Sequence, residues 1–422
     1  MQQIKLPYGK GHQQANLSDE VELQIIDPES AKAAGSIEEL IQKALDYPIG
    51  SERLEKLAKL EDDVVIIVND HTRPGPNKQI VKALIARLEM AGVKDEKVTF
   101  VVATGSHRAT TEAEIDEIIG PEMRKRFKVH VHDCLDEAQL VYLGEASQGM
   151  PLFVNRLVAE SSFVITTGLI APHHSAGYSG GRKSIVPGVA GLKSLKIHHS
   201  LPIRPFEPAM GFIYGNPFHE ASLEAAKMLS VKFMINAVQD PHKQNIAFVA
   251  GEIEQAHAEG VALCKQACEV EIHELADVVI TSPGGHPRDI NLYQAQKALS
   301  VAEPLGKPNC VYILLVEGTD GIGEGVFKEW MVEAKTPEEV IQRFKVEGYN
   351  VGSNKAFMYA RALTKGRVII VSDHIDPKAL SDMMLEWAPD LQTALDTVMA
   401  EREVRKVIAL PRAVNIIPKV VL

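Results

Sequence analysis

The sequence predicts an α/β protein of two domains, each a mainly parallel β-sheet flanked by helices. Short runs of β-branched residues alternate with amphipathic stretches along the chain, which is typical of strands linked by crossover helices. At 422 residues the chain exceeds the size at which one hydrophobic core stops growing. In such folds ligands bind where the loops leave the carboxyl ends of the strands, so these loops are the first place to look for function.

The first domain is predicted over residues 1–270. Its strands and helices alternate in chain order, and the later strands are followed by a long helical pattern. The predicted strands are Val64–Val68, Val98–Val102, Lys128–His132, Phe163–Gly168, Val231–Asn236 and Ile246–Val249. The predicted helices are Asn77–Met90, Thr111–Ile119 and Gly251 to about Val270.

The second domain is predicted over residues 275–403, with the joint near residues 268–277. Its strands are expected at Val278–Thr281, Val311–Leu315 and Val368–Val371. Residues 404–422, with strand-like pieces at Lys406–Ala409 and Val414–Ile417, could return to complete the first domain. The active site is expected in the cleft between the two domains.

Composition excludes several classes of function. Forty-five basic and 56 acidic residues give a formal net charge of −11, and no long run of Lys or Arg is present, so nucleic acid is not an expected partner. The chain has neither an N-terminal apolar segment nor a long apolar stretch, which predicts a cytoplasmic protein without a membrane partner. The four cysteines lack metal or redox spacing and are expected in the core.

Two of the predicted strands lead into loops with ionisable side chains. After Val64–Val68, Asp70 can accept hydrogen bonds and the planar Arg73 guanidinium can hold a carboxylate or phosphate. The alternative is a surface turn with an incidental ion pair. After Val98–Val102 comes His107, which alone is as consistent with a structural hydrogen bond as with catalysis.

A third loop carries His173 and His174, followed by a glycine-rich stretch that ends at Lys183. Two histidines on opposite sides of a substrate could exchange protons with both of its faces, which suits inversion of a stereocentre. Glycines allow close approach of the backbone to a phosphate, and Lys183 adds a charge or a nucleophilic amine. A nucleotide-binding P-loop is disfavoured, because Arg182 stands where that motif needs glycine.

Two further groups follow. His198 and His199 are candidate metal ligands, but adjacent helical residues point about 100° apart, which disfavours both binding one ion. Farther on, Tyr293 and Lys297 lie four residues apart on one helix face with Gln294 beside them. A solvated surface lysine is the alternative interpretation there.

Together these motifs resemble the nickel-pincer-dependent lactate racemase family, which contains racemases and epimerases of 2-hydroxy acids. The similarity covers nearly the whole chain from Tyr47 onward. The segments that carry it are Asp70–Pro74, Thr104–Arg108, His173–Ser184, His199–Ser200 and Asn291–Ala295. Such a combination is far more specific than any single motif.

The resemblance implies a cofactor and a role for each candidate residue. The cofactor is a Ni(II) pyridinium-3,5-bisthiocarboxylic acid mononucleotide, the nickel-pincer nucleotide, joined through a thioamide to Lys183, with His199 as the nickel ligand. His107 and His173 are then the acid/base pair. The loop of Asp70, His71, Thr72 and Arg73 is implied to contact the cofactor, and Arg73, Tyr293, Gln294 and Lys297 the substrate.

The implied reaction is racemisation of a 2-hydroxy acid, with D- and L-lactate as first candidates, by hydride transfer to the tethered nucleotide through a 2-keto acid. Cofactor-making enzymes are implied partners, and a homodimer is the commonest default. Asn354 stands where a lactate-specific relative is expected to have tryptophan, so another 2-hydroxy acid is an alternative, although Trp330 or Phe357 could substitute. Non-catalytic binding of the nucleotide or an anion is a second alternative. A metal-dependent hydrolase is disfavoured by histidine spacing. His174 and His198 are given only supporting or structural roles.

Overall fold

The computed structural model describes residues 1–28, 35–200, 210–229, 231–323 and 325–421. These residues form two compact units. The first unit consists of residues 35–200, 211–229 and 231–267. The second unit consists mainly of residues 1–28, 268–323 and 325–421. Each unit is built on its own six-stranded sheet.

The strands of the described residues are, in chain order, β1 (Gln2–Tyr8), β2 (Gly11–Leu17), β3 (Glu22–Ile25), β4 (Val64–Asn69), β5 (Val98–Ala103), β6 (Lys128–Val131), β7 (Leu140–Ala146), β8 (Met150–Asn155), β9 (Phe163–Ile170), β10 (Pro172–His173), β11 (Gly177–Tyr178), β12 (Phe233–Gln239), β13 (Asn245–Gly251), β14 (Glu269–Ile272), β15 (Ala276–Thr281), β16 (Gly306–Leu315), β17 (Gly366–Val371), β18 (Glu386–Ala388), β19 (Lys406–Leu410) and β20 (Ile417–Val420).

The α-helices of the same residues are α1 (Ile37–Asp46), α2 (Leu54–Leu57), α3 (Asn77–Met90), α4 (Glu112–Ile119), α5 (Pro121–Arg126), α6 (Arg156–Glu160), α7 (Leu192–Ser200), α8 (Pro217–Met228), α9 (Ile253–Cys268), α10 (Leu292–Ala302), α11 (Phe327–Glu333), α12 (Pro337–Glu347), α13 (Ser353–Leu363), α14 (Pro377–Asp382) and α15 (Leu391–Glu401).

The sheet of the first unit has the strand order β13-β12-β9-β4-β5-β6. All neighbours are parallel except β12 and β13, which pair antiparallel. Its central strands are buried on both faces, because runs such as Val64–Val68 leave no polar face for solvent. The core includes Ile66, Phe100 and Ile165 from three adjacent strands. The carboxyl ends of β9, β4 and β5 therefore lie side by side.

The sheet of the second unit has the order β18-β17-β16-β15-β19-β3, and every neighbouring pair is parallel. The antiparallel hairpin of β1 and β2 adds fully buried Ile4 and Leu6 to the core of this unit. Tyr312 on β16 donates a hydrogen bond to the carbonyl of Glu303, whose carboxylate pairs with buried Arg361. Because β3 lies near the N-terminus and β19 near the C-terminus, the complete parallel sheet needs both ends of the chain.

The predicted fold class, two α/β units with mainly parallel sheets and flanking helices, is confirmed. The division of the chain differs from the predicted one at both ends. The segment 404–421 belongs to the second unit rather than the first because β19 pairs with β15, and residues 1–28 belong there because β3 pairs with β19. The strand expected at Val414–Ile417 begins instead at Ile417, after a short 3₁₀ turn over Ala413–Asn415.

Within the described ranges, no helix has the length and apolar composition needed to cross a bilayer. The four cysteines are buried, as expected for core residues.

Candidate active site

Three of the predicted site loops leave neighbouring strands of the first unit at the same edge of the sheet. Asp70 follows β4, His107 follows β5, and His173 follows β9. The strand order β9-β4-β5 makes these loops neighbours. The sequence could indicate each loop separately, but only the order of the strands places the three loops side by side.

The first cluster consists of Asp70, Thr72 and His107. The Asp70 carboxylate is 2.6 Å from Nδ1 of His107 and accepts a 2.7 Å hydrogen bond from the Thr72 hydroxyl. A carboxylate only accepts, so Nδ1 of His107 carries the hydrogen. In the neutral ring, Nε2 is then left with a lone pair that can take a proton.

Asp70 is ionised in this setting. Burial raises the pKa of its carboxyl, but hydrogen bonds from His107 and Thr72, aided by the charges of His107 and Arg73, outweigh burial and hold the pKa below its ordinary value. A buried carboxylate fixed in its ionised form orients the His107 ring and would stabilise an imidazolium.

The rest of this loop folds onto itself. The exposed Arg73 guanidinium donates to the carbonyl and hydroxyl oxygens of Thr72, 3.1 Å away in each case. His71 lies 3.9 Å from the carboxylate of Glu114, which also pairs with Arg108. Arg73 therefore lies beside the cluster of Asp70 and His107.

His173 is fixed by the turn that it begins. It ends β10, which pairs antiparallel with β11 in a hairpin whose strands have two residues each. Nδ1 of His173 accepts hydrogen bonds of 3.1 Å from the backbone N–H groups of Ser175 and Ala176 in that turn. The neighbouring His174 ring stacks on it, with centroids 4.8 Å apart. The ring is thus oriented by backbone donors, unlike His107, which is oriented by a carboxylate.

Lys183 lies against His173. Its Nζ is 2.9 Å from Nε2 of that ring. Phe218 on α8 borders both groups: its ring centroid is 5.4 Å from Nζ of Lys183 and 6.4 Å from the centroid of His173. The predicted acid/base histidine and the predicted attachment lysine are therefore direct neighbours in the first unit.

The backbone before Lys183 is held in place by hydrogen bonds with buried side chains. Asn236 on β12 accepts a 2.7 Å hydrogen bond from the N–H of Gly181. Buried Arg182 donates to the carbonyls of Ala176 and Gly180 and contacts Nε2 of His257 at 2.8 Å. Among the described residues no carboxylate pairs with Arg182, and burial lowers its pKa to about 9. This guanidinium binds the loop together instead of contacting a ligand.

His199 on α7 has the hydrogen-bonding pattern of a metal ligand. Its Nδ1 donates to the carbonyl of Leu195, 3.0 Å away, so Nε2 carries the lone pair. Burial lowers the pKa of His199 to about 4, so its imidazole is neutral at pH 7. The same Phe218 ring packs edge-on against it at 5.4 Å.

His198 points elsewhere, as adjacent helical positions must. It is fully buried, and Nε2 contacts the Ser222 hydroxyl at 2.8 Å and the Phe218 carbonyl at 3.0 Å. Burial holds its pKa well below the ordinary value. His198 packs α7 against α8 and is a structural residue.

The remaining predicted residues lie in the second unit, on α10. Lys297 donates a 2.9 Å hydrogen bond to the side-chain oxygen of Gln294. The Tyr293 ring packs edge-on against Phe327 at 6.3 Å. Nζ of buried Lys355 lies 5.1 Å from the centroid of the Tyr293 ring and 3.1 Å from the Gln296 oxygen. The polar face predicted for α10 is present, and its placement in a cleft between domains stays a prediction.

The two aromatic residues that could replace the expected tryptophan are both buried. Phe357 packs on Phe344 at 4.9 Å, and Trp330 packs on the same ring at 6.5 Å. Asn354 is half-buried, and its side-chain oxygen has no hydrogen-bond partner within the described residues. The residue before Lys355 in the chain therefore carries a hydrogen-bond acceptor, the Asn354 side-chain oxygen, with no donor among the described residues.

Phe218 and Lys355 were not predicted from the sequence. Phe218 contacts Lys183, His173 and His199, but it lies far along the chain on α8, whose only local indication is an Asn216 N-cap followed by Pro217. Lys355 sits in an apolar helical pattern, where a lysine is normally expected at the surface. No local signal identifies either one.

The residues of the first unit fit the predicted cofactor. His199 offers a neutral imidazole with Nε2 as the lone-pair nitrogen, and Lys183 offers an amine within hydrogen-bond distance of a histidine. Within the described parts of the chain, no group of three or more His, Cys, Asp or Glu side chains could hold a metal ion. A single imidazole matches a metal whose other ligands come with the cofactor.

The first unit carries His107 and His173 in loops at one edge of a mainly parallel sheet, an arrangement suited to an enzyme that moves protons on a small substrate. Models of the lactate racemase N-terminal and C-terminal domains match residues 8–211 and 272–418. The chain belongs to the lactate racemase family, and it is an isomerase of the racemase type.

Individual relatives agree. The chain is 32% identical to the lactate racemase of Lactiplantibacillus plantarum and 33% identical to that of Thermoanaerobacterium thermosaccharolyticum, over 99% of both chains in each case. It superposes on the lactate racemase apoprotein of the latter organism with a TM-score of 0.92, over 99% of this chain and 100% of that one, at 32% identity. A Thermotoga maritima protein at 18% identity shares the fold, with a TM-score of 0.68 over 91% of this chain and 98% of that one.

Proposed function

We propose that this racemase interconverts the enantiomers of a 2-hydroxy acid, and that lactate, for which its relatives are named, is the first substrate to test. The observation that carries the proposal is the pair of differently held histidines in the first unit. His107 is bound at Nδ1 by the Asp70 carboxylate, and His173 is bound at Nδ1 by two backbone N–H groups.

In the proposed reaction His107 takes the proton of the substrate hydroxyl on Nε2. Asp70 supports this step, because its negative charge stabilises the imidazolium that forms. His173 serves the opposite side of the substrate and presents a hydrogen on Nε2, since Nδ1 is occupied by backbone donors. One proton leaves the hydroxyl oxygen and one returns to it, so the composition of the substrate is unchanged.

We further propose that the nickel-pincer nucleotide is the cofactor. Lys183 would hold it covalently, Nε2 of His199 would bind the nickel, and the loop of Asp70, His71, Thr72 and Arg73 would contact the nucleotide. When bound, the cofactor would supply a hydride acceptor for the C2 hydrogen of the substrate. The buried Phe218 ring, 5.4 Å from Nζ of Lys183, would help to exclude water.

Substrate binding is proposed for Arg73, Tyr293, Gln294 and Lys297. A guanidinium and an ammonium are the groups expected to hold a carboxylate and the oxygen at C2. Lys297 is oriented for this by its hydrogen bond to Gln294.

A larger or hydroxylated 2-hydroxy acid is the second candidate. The observation that favours it is the unpartnered side-chain oxygen of Asn354, which could accept a hydrogen bond from a substrate hydroxyl. An apolar methyl group would leave that oxygen unsatisfied.

An enantiomer-resolved assay tests the proposal. Cofactor-loaded protein is incubated with single enantiomers of lactate and of a panel of longer and hydroxylated 2-hydroxy acids, and both enantiomers are quantified. Interconversion of lactate supports the first candidate, and preference for a hydroxylated acid that is lost in Asn354→Leu supports the second. If Lys183 is loaded and no panel member is interconverted, the proposal is wrong.

A further inference from the structure

Hydrogen-bond direction around His173 determines the state of Lys183. Nδ1 of His173 accepts from two backbone N–H groups, Ser175 and Ala176, at 3.1 Å each. A hydrogen on Nδ1 would point at these donors, so the ring hydrogen lies on Nε2. Nε2–H is then the donor in the 2.9 Å contact with Nζ of Lys183.

An ammonium group has three donors and no acceptor, so it cannot receive that hydrogen bond. A neutral amine has one lone pair and can. The contact between Nε2 and Nζ therefore requires Lys183 to be uncharged as long as Nδ1 of His173 accepts the two backbone hydrogen bonds.

The surroundings favour the same state. Arg182, next in the chain, is 1% exposed and has no carboxylate partner among the described residues, so a second positive charge beside it is costly. The aromatic face of Phe218, 5.4 Å from Nζ, by itself favours an ammonium. The hydrogen bond from Nε2 of His173 can form only with a neutral Lys183 amine, and we take it to outweigh the attraction between an ammonium and the Phe218 ring.

We propose that His173 holds Lys183 as an uncharged nucleophilic amine, so that this protein catalyses its own attachment to a thiocarboxylic acid. The inference rests on the proposed function. Nζ attacks the carbon of the thiocarboxylic acid, forming a C–N bond. The C–O bond then breaks, and the oxygen leaves as water, giving a thioamide with no change in oxidation state.

His173 orients the groups in this condensation through its Nε2–H, which can hydrogen-bond to the departing oxygen. One hydrogen passes from the attacking nitrogen to that oxygen, and the acid supplies the second hydrogen of the water. The ring ends in the state in which it began. The same nitrogen then becomes available to the substrate, because the thioamide nitrogen no longer accepts its hydrogen bond.

The test is the rate at which cyanate carbamoylates each lysine of the full-length, cofactor-free protein. Isocyanic acid adds across an N–H bond of neutral amines, without a leaving group, and it is small enough to reach a half-buried side chain. Rates come from peptide mass spectrometry near neutral pH. Lys196, on the exposed face of α7, is the internal control.

We expect Lys183 to react about tenfold or more faster than Lys196, because a larger fraction of it is neutral. In His173→Ala this advantage disappears, whereas in the matched control His174→Ala it persists. Unchanged rates at the other lysines show that each variant is folded. A Lys183 rate equal to or below that of Lys196 in the unsubstituted protein overturns the inference, as does persistence of the advantage in His173→Ala.

This result is independent of the proposed function. Fast carbamoylation of Lys183 in a protein that loads but does not racemise contradicts only the proposed reaction. Ordinary reactivity of Lys183 in a protein that loads and racemises contradicts only the self-attachment.

Discussion

At the scale of single residues, the two histidines are distinguished by what each Nδ1 contacts. Nδ1 of His107 donates to a buried carboxylate, and Nδ1 of His173 accepts from the backbone. The first arrangement stabilises a positive ring and the second disfavours it. The two rings are therefore not interchangeable, although both follow parallel strands.

We predict that Asp70→Asn lowers kcat for racemisation by about 100-fold or more, because the amide can neither fix the His107 tautomer nor balance an imidazolium. Initial rates with purified, loaded enzyme measure this loss. The control is the double variant Asp70→Asn/His107→Gln, which should be no slower than the worse single variant, since the two residues act as a unit. Additive losses would show that Asp70 acts independently of His107.

The identity of these residues was predictable, but their contacts were not. Asp70, His107, His173 and Lys183 stand out as ionisable side chains in loops after apolar strands. The 2.6 Å contact between Asp70 and His107 depends on β4 and β5 being adjacent. Phe218 could not be found, because an apolar residue on a helix is expected in the core whatever it borders there.

At the scale of elements, the loop before Lys183 depends on a glycine. Gly180 has φ of +79°, and a Cβ there would lie 2.4 Å from the Asn236 oxygen that accepts from Gly181. Both the backbone conformation and the anchoring hydrogen bond therefore exclude a side chain.

We predict that Gly180→Ala destabilises the protein by about 1–3 kcal/mol and greatly slows attachment of cofactor to Lys183, because the loop must shift. Chemical denaturation and intact mass measure the two effects. Gly11→Ala is the control, because a Cβ there meets only the Tyr8 carbonyl at 3.8 Å. Normal loading of Gly180→Ala would show that the loop tolerates the change.

The α10–α13 packing of the second unit contains a buried lysine with pH-dependent consequences. Burial lowers the pKa of Lys355 to about 7. In the unfolded chain an ordinary lysine stays protonated up to about pH 10.4. Between these pH values the unfolded chain binds the extra proton, so native stability rises with pH in this window, and the full cost of the buried charge is present below it.

We predict that Lys355→Met is more stable than the unsubstituted protein below about pH 7, and that this advantage shrinks by up to roughly 5 kcal/mol toward pH 10. Urea denaturation at several pH values measures the difference. Lys196→Met, at an exposed position, should show no such dependence. A stability difference that does not vary with pH would contradict the burial argument.

At the scale of the whole molecule, the alternation of strands and helices could be predicted from the sequence, because buried parallel strands appear there as continuous apolar runs. Helix α3 and strand β4 begin at the predicted residues. The sequence could not show that the N-terminal segment belongs to the second unit. Strand β3 pairs with β19, which joins residues more than 380 positions apart, and no local pattern encodes such a partner.

We predict that deletion of residues 1–28 destabilises the second unit by about 5 kcal/mol or more, because fully buried Ile4 and Leu6 and the edge strand β3 are lost. Hydrogen exchange should show lost protection in β15, β16 and β19, with β4, β5 and β9 still protected. The first unit serves as the internal control. Loss of protection confined to β4, β5 and β9 would contradict the assignment of the N-terminus to the second unit.

In the proposed reaction His107 and His173 exchange the hydroxyl proton, while the hydrogen on C2 stays with the enzyme. The direct measurement is the fate of deuterium at C2 when loaded protein converts L-[2-²H]lactate in ordinary water. We expect D-lactate that keeps its deuterium, since a hydride does not exchange with solvent. D-lactate with hydrogen from solvent at C2, or no D-lactate at all, would contradict it.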